Sequence, residues 1–259
     1  MFNTHFRKLV GLGIAACAAL GAQSASAGFV DFTIRGTPTI NHPVVGQTEF
    51  VISAGGQKAA QGSNDVNGQT LGSLTSIKIE RLDDETRFTA GSGPAVGPYL
   101  NFWITDGAGH YAVVANEPSN PDFQTLYNNG YALSFSDLSN KVAKIYENSS
   151  LGWLPNNGIG LTFGDLAGFV IEAPSATLLA AGWAGLGSGA PRELGTNIAY
   201  GVNWVFGDTL SNYTSGAPGY LVANASVAAA AAVPEPGTMV LLGAGLLSLA
   251  VIRRRKQQV

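Results

Sequence analysis

The stretch YLNFWITDGAGHYAVVAN, Tyr99 to Asn116, decides the fold. NFWITD and YAVVAN are rich in aromatic and β-branched residues, and the GAGH between them supplies glycines for a tight reversal, so the spacing predicts a β-hairpin. Working outward, SIKIERL (76–82) puts Ile77 and Ile79 on one face and Lys78 and Glu80 on the other. That period of two belongs to a sheet with one wet side. The runs FVDFTIRG, EFVIS, YALSFS, VAKIYE, IGLTF, GFVIE and NIAYGVNWVFGD repeat the texture between breaks of Gly, Pro, Asn and Asp. Many short strands and few helices predict an all-β domain, an antiparallel two-sheet β-sandwich over residues 28–223.

The two ends read differently from this middle. At the start, Arg7 and Lys8 precede an apolar run from Leu9 to about Leu20, and Ala25-Ser26-Ala27 before Gly28 offers small residues for cleavage. This is the layout of a secretory signal peptide over residues 1–27, with export through the Sec translocon. Cleavage after Ala27 removes Cys17, the only cysteine, which excludes disulfides, thiol nucleophiles and cysteine-ligated metals from the exported chain. At the other end, an alanine-rich linker (224–233) leads to VPEPGTMVLLGAGLLSLAVIRRRKQQV. Pro234 and Pro236 fix two φ angles and hold Glu235 extended, a form that suits a protease cleft. Thr238 to Ile252 carries no charge and gives about 22 Å of helix at 1.5 Å per residue, a short transmembrane helix that spans a bilayer only marginally. Arg253, Arg254, Arg255 and Lys256 then hold the end in the cytoplasm by the positive-inside rule, with the domain on the far side.

The order Pro-Glu-Pro, short hydrophobic run, arginine cluster resembles the PEP-CTERM sorting signal of Gram-negative bacteria, over residues 234–259. The resemblance implies transient inner-membrane anchoring, recognition by a membrane-embedded exosortase, a cut near the motif, and release to the cell surface or an extracellular polysaccharide matrix. It implies a location and says nothing of the domain's activity. The pattern from Tyr99 to Tyr213 is similar in style to the jelly rolls of concanavalin A-like lectins and glucanases, with no family motif matched residue by residue.

Between Gly28 and Ala232, eight Lys and Arg face sixteen Asp and Glu, a net charge of about −8. Such a surface repels polyanions, which excludes nucleic acid as a partner. The catalytic inventory is thin: no Gly-x-Ser-x-Gly elbow, His-Glu-x-x-His helix or Walker loop occurs, and only His42 and His110 remain after signal removal. His42 precedes a proline in a loop and His110 begins a strand, positions that suit surface or turn roles.

The acidic cluster ERLDDETR (80–87) spaces Asp83 and Glu85 two apart, as paired carboxylates of a glycoside hydrolase would be, or else it marks a solvated turn with Arg81 and Arg87 as partners. LSFSDL (133–138) and LTFGDL (161–166) echo one another 28 residues apart. Asp137 and Asp165 therefore hold equivalent places, as cation ligands or as caps of tight turns. The four tryptophans stand among Asn, Gly and Asp in LNFWITDG, LGWLPNNG and YGVNWVFGD, a composition that stacks on sugar rings and bonds their hydroxyls. Trp103 and Trp204 read equally as core. Trp153 and Trp183, in Gly-rich loops, are the glycan-binding candidates, and Asp106 and Asp208 end strands where they hold Ca²⁺ or make turns. No cofactor is required. The expectation is a noncovalent adhesive or polysaccharide-associated role, with a glycoside hydrolase or a purely structural matrix protein as the alternatives.

Overall fold

The computed structural model describes residues 28–83, 98–116, 131–146, 151–180, 198–207 and 219–230. The signal segment, the hydrophobic tail, Glu85, Trp183 and Asp208 lie outside them. Among the described residues no helix is long and apolar enough to cross a membrane.

Among the described residues twelve strands form two antiparallel sheets. The first has the order β1-β4-β11-β6-β7-β9, built from Val30–Arg35, Lys58–Ser63, Val202–Phe206, Tyr99–Thr105, Tyr111–Ala115 and Lys144–Tyr146. The two-residue β10 (Val170–Ile171) extends it by pairing with the end of β6. The second has the order β2-β3-β12-β5-β8, from Thr39–Asn41, Gln47–Val51, Tyr220–Ala229, Leu74–Arg81 and Ala132–Leu133. The hairpin expected from residues 99–116 is β6–β7, in register from Asn101↔Ala115 to Thr105↔Tyr111. Its connection turns on Gly107 and Gly109 at φ +76° and +94°, conformations that side chains with a Cβ resist.

The sheets close on one apolar core. Leu100, Phe102 and Ile104 of β6 and Trp204 and Phe206 of β11 meet Phe50 of β3, Ile77 and Ile79 of β5 and Val222 of β12. Phe50 stacks on Phe206 across the interface with ring centroids 4.1 Å apart. Each such side chain contributes about 1.5–3 kcal/mol by leaving water. β5 keeps the expected alternation, with Lys78 and Glu80 outward. β6 does not, because all seven of its residues are buried. The outward face of the first sheet is covered as well, in part by α2 (Ala176–Ala180), whose Leu179 packs on Trp103 and Val113.

Three expectations change. Residues 224–229, expected to open the alanine-rich linker, are strand: β12 runs to Ala229 and pairs with β5 as far as Ala229↔Leu74. Alanine has little strand preference of its own, but a partner edge with open donors and acceptors overrides it. LSFSDL leaves strand after Leu133 and becomes a single helical turn, α1 (Phe135–Leu138). IGLTF keeps one isolated bridge, Thr162↔Val142, before a 3₁₀ turn over Gly164–Leu166.

Candidate functional site

The two echoed segments show how short polar signals set local structure. The Asp137 carboxylate accepts bonds from the backbone N–H of Ser134 (2.7 Å) and its hydroxyl (2.8 Å). Asp165 accepts the same pair from Thr162, both at 2.8 Å. Each Asp thus reaches back to the residue three before it, the reciprocal half of a capping box. The bonds from Thr162 hold the Asp165 carboxyl below its ordinary range. The turns also meet: Gly164 N–H donates to Ser139 O and Phe163 N–H to Lys141 O. The echo is therefore a pair of docked turns.

Asp106 serves the β6–β7 hairpin. One oxygen accepts the N–H groups of Ala108 (2.8 Å) and His110 (3.3 Å), and the other lies 2.6 Å from His110 Nδ1. Its limited burial works against ionisation, yet these bonds outweigh it and depress the carboxyl. The His110 ring in turn lies over Trp153, with centroids 5.8 Å apart and planes 18° from parallel, while Phe169 meets Trp153 edge-on. Trp153, expected as an open platform, is half-buried with one ring face under His110. His42, as expected, sits at the surface, its Nε2 2.9 Å from Asp31.

Asp83 is held at the end of the second sheet. Arg81 grips it through Nε and Nη2 at 3.1 and 2.5 Å, and the backbone N–H of Leu221 donates to it at 3.2 Å. Arg81 also donates to the Tyr131 hydroxyl and lies against the rings of Tyr131 and Tyr220. Burial by itself disfavours the Arg81 charge, but the bond to Asp83 and the neighbouring charges more than offset it and raise the guanidinium above its ordinary value. The carboxylate that the glycosidase alternative needs is thus tied into packing.

The feature that gathers the amide and aromatic residues lies on the outward face of the first sheet. LNFWITDG and YGVNWVFGD, far apart in sequence, are neighbours because β6 and β11 pair with Asn203 opposite Asn101. Both side chains point away from the core, at 3% and 2% exposed, and with Phe32, Ile34, Trp103, Ile198 and Ala199 they line a pocket. The Asn203 amide nitrogen donates to the backbone oxygens of Tyr200 (2.7 Å) and Asn101 (3.4 Å), which fixes the amide's orientation. The Oδ1 atoms of Asn203 and Asn101 are left without a partner. A buried acceptor without a donor costs about 1–3 kcal/mol, so the pocket demands a donor. The wall beside it depends on Gly62, opposite Asn203 on β4, where a Cβ would collide with the Tyr200 ring.

Sequence reasoning ranked Trp153 and Trp183 above Trp103. It did not find Phe32, Ile34 or the paired amides, although one signal was present: an Asn at the same phase as flanking apolar residues in two strand-like runs. Trp204 is core, fully buried against both sheets.

Residues 232–256 match the family model described as the PEP-CTERM protein-sorting motif. The match takes in Pro234, Glu235, Pro236, the uncharged run and Arg253 to Arg255. The chain therefore carries the sorting signal of an exosortase-processed, extracellular protein. Neither the curated proteins nor the solved structures gave a match to this chain.

Proposed function

We propose that this exported protein acts at the cell surface or in the extracellular matrix by noncovalent association with polysaccharide, and that it catalyses no reaction. The observation that carries the reading is the outward pocket, in which two buried amide oxygens lack donors beside aromatic and aliphatic walls. A sugar presents that chemistry: hydroxyl donors on its edges and apolar C–H faces that lie against aromatic rings. The cavity is about 20 Å³, room for a single hydroxyl group and not for a sugar ring. The matrix delivered by the sorting route is rich in such groups, and a surface of net negative charge favours neutral glycans over polyanions. Asp83, with its oxygens taken by Arg81 and Leu221, supports binding over hydrolysis.

The test is titration of the purified mature protein with neutral oligosaccharides and with its host's own extracellular polysaccharide, followed by calorimetry and by assay for new reducing ends. Binding that disappears in Asn101→Leu, with no reducing ends released, is the expected result. Release of reducing ends would establish the hydrolase alternative, and a folded protein that binds no glycan would leave the structural-matrix role.

A further inference from the structure

We propose that the C-terminal half of β12 detaches from β5 when the chain is sorted, and that the pole of the sandwich formed there is the surface that meets the membrane-embedded sorting protease. The inference rests on reading the tail as a processed sorting signal and adds which part of the folded domain takes part in processing.

The distance along the chain raises the problem. The folded domain is bonded as far as Ala230, whose N–H donates to Ser73 O at 2.8 Å. Only Ala231, Ala232 and Val233 separate it from Pro234. Four residue steps reach at most about 14 Å even when fully extended. A protease that holds its substrate as an extended strand engages residues on both sides of the cut. For a cut near Pro234-Glu235-Pro236, the residues from the fourth position back on the amino-terminal side, Ala230 and those before it, are bonded into the sheet.

The strand is built unequally, in the way such release requires. Tyr220 to Ala223 is paired with β3 throughout and with β5 at Val222 and Ala223, and three of its four side chains are buried. Beyond Ala223 the pairing with β3 ends, and the register with β5 breaks before resuming at Ser226↔Lys78. Asn224 sits in that break at φ +52°, a left-handed conformation that marks a bulge. No residue from Asn224 to Ala229 is fully buried, and those that touch the core are the small Ala225, Val227 and Ala229. A second irregularity falls between Ala228 and Ala229. What holds this half is one ladder with β5, a bond from the Thr75 hydroxyl to Ala228 O (3.2 Å), one from Asn224 to Glu80 (2.8 Å), and the Ala230–Ser73 bond. The break at Asn224 leaves the doubly paired half in place when the other half leaves. The surface beneath, NGQTLGSLTS (67–76), carries no charge and suits approach to a lipid headgroup layer or to a protein embedded in it.

The test locks the strand. Ser76 and Ala228 are partners in register on the side away from the core, and the mature chain has no competing thiol once Cys17 has gone with the signal. The double variant Ser76→Cys with Ala228→Cys is expressed in the native host as the full chain, beside each single variant and a Pro234, Glu235, Pro236→Ala variant. Intact mass and membrane fractionation provide the readout. Loss of processing is expected in the disulfide-locked form and in the alanine variant but in neither single cysteine variant, with Arg253–Lys256 retained in the membrane fraction. Inserting a Gly/Ser spacer of about ten residues after Ala230, which adds a mean reach of about 17 Å, should restore processing to the locked form. Processing of the locked chain at the native rate overturns the proposal. So does a spacer that fails to rescue it, because the block then has nothing to do with reach. If the native chain and the alanine variant both keep the arginine cluster, the reading of the tail itself fails, and that result is distinct from either.

Discussion

The two faces of the seven-stranded sheet come from alternate residues of the same strands, and they are finished differently. On the inner face β6 and β11 present Leu100, Phe102, Ile104, Trp204 and Phe206, sealed by the second sheet. On the outer face they present Asn101, Trp103 and Asn203, covered by Tyr200, by Leu179 of α2 and by Ile198–Ala199, with a pocket left between. The inner face also holds unpaired polar atoms, Trp204 Nε1 and Gln61 Oε1 on adjacent strands. Those lie between the sheets, whereas the Asn oxygens, equally buried, belong to residues that line the outward pocket. Burial on both faces therefore does not make the faces equivalent. The inner face is filled by contact between the sheets, and the outer leaves two unsatisfied amide oxygens beside a pocket.

Substitutions can break or sharpen that contrast. The largest effect is expected at Trp204→Ala, which empties the inner core and should cost about 3–5 kcal/mol, read as a lowered midpoint in urea unfolding. Equal loss from Trp103→Ala would erase the distinction between the faces. Gly62→Ala places a methyl group against the Tyr200 ring and should cost about 1–3 kcal/mol by overpacking. It should also perturb the pocket, which a glycan titration would register.

Asp165 lies on neither face and serves as a control. Its folded carboxyl is depressed by the bonds from Thr162, so its contribution is complete above the ordinary carboxylate range and is lost as pH falls through the lower folded value. Asp165→Ala should flatten the acid limb of a thermal-melt series against pH without touching glycan binding. The smallest stability effect is expected at Asn101→Leu. Replacing an unsatisfied amide by an apolar side chain of similar shape should leave stability unchanged or raise it by up to about 1 kcal/mol. A large destabilisation there, measured by the same unfolding curves, would mean that the amide is structural and the outer face is ordinary packing.

Much of this was legible in residues. The β6–β7 hairpin followed from two β-rich runs and a glycine-bearing connection, and β5 from the alternation of Ile77 and Ile79 with Lys78 and Glu80. The echo of LSFSDL and LTFGDL announced equivalent places for Asp137 and Asp165, and the capping alternative was already written in their turn-like context. Less legible was the end of β12. SVAAA has the composition of a linker, and only the open edge of β5, about 150 residues earlier in the chain, makes it strand. The setting of Trp153 was hidden for a similar reason. Trp153 sits among glycines as an exposed platform would, but His110 from the neighbouring hairpin covers its ring.

The sequence by itself determined the all-β texture, the net negative charge between Gly28 and Ala232, and the sorting tail, because each depends on local composition or a contiguous motif. Tertiary structure alone decided where the amides meet. Asn101 and Asn203 are 102 residues apart, and only the pairing of β6 with β11 puts their side chains side by side, on the face that the second sheet does not fill. Periodicity says that a residue points to one face or the other. Which face is filled, and which is left with a pocket beside its buried amides, depends on what the rest of the chain lays over it.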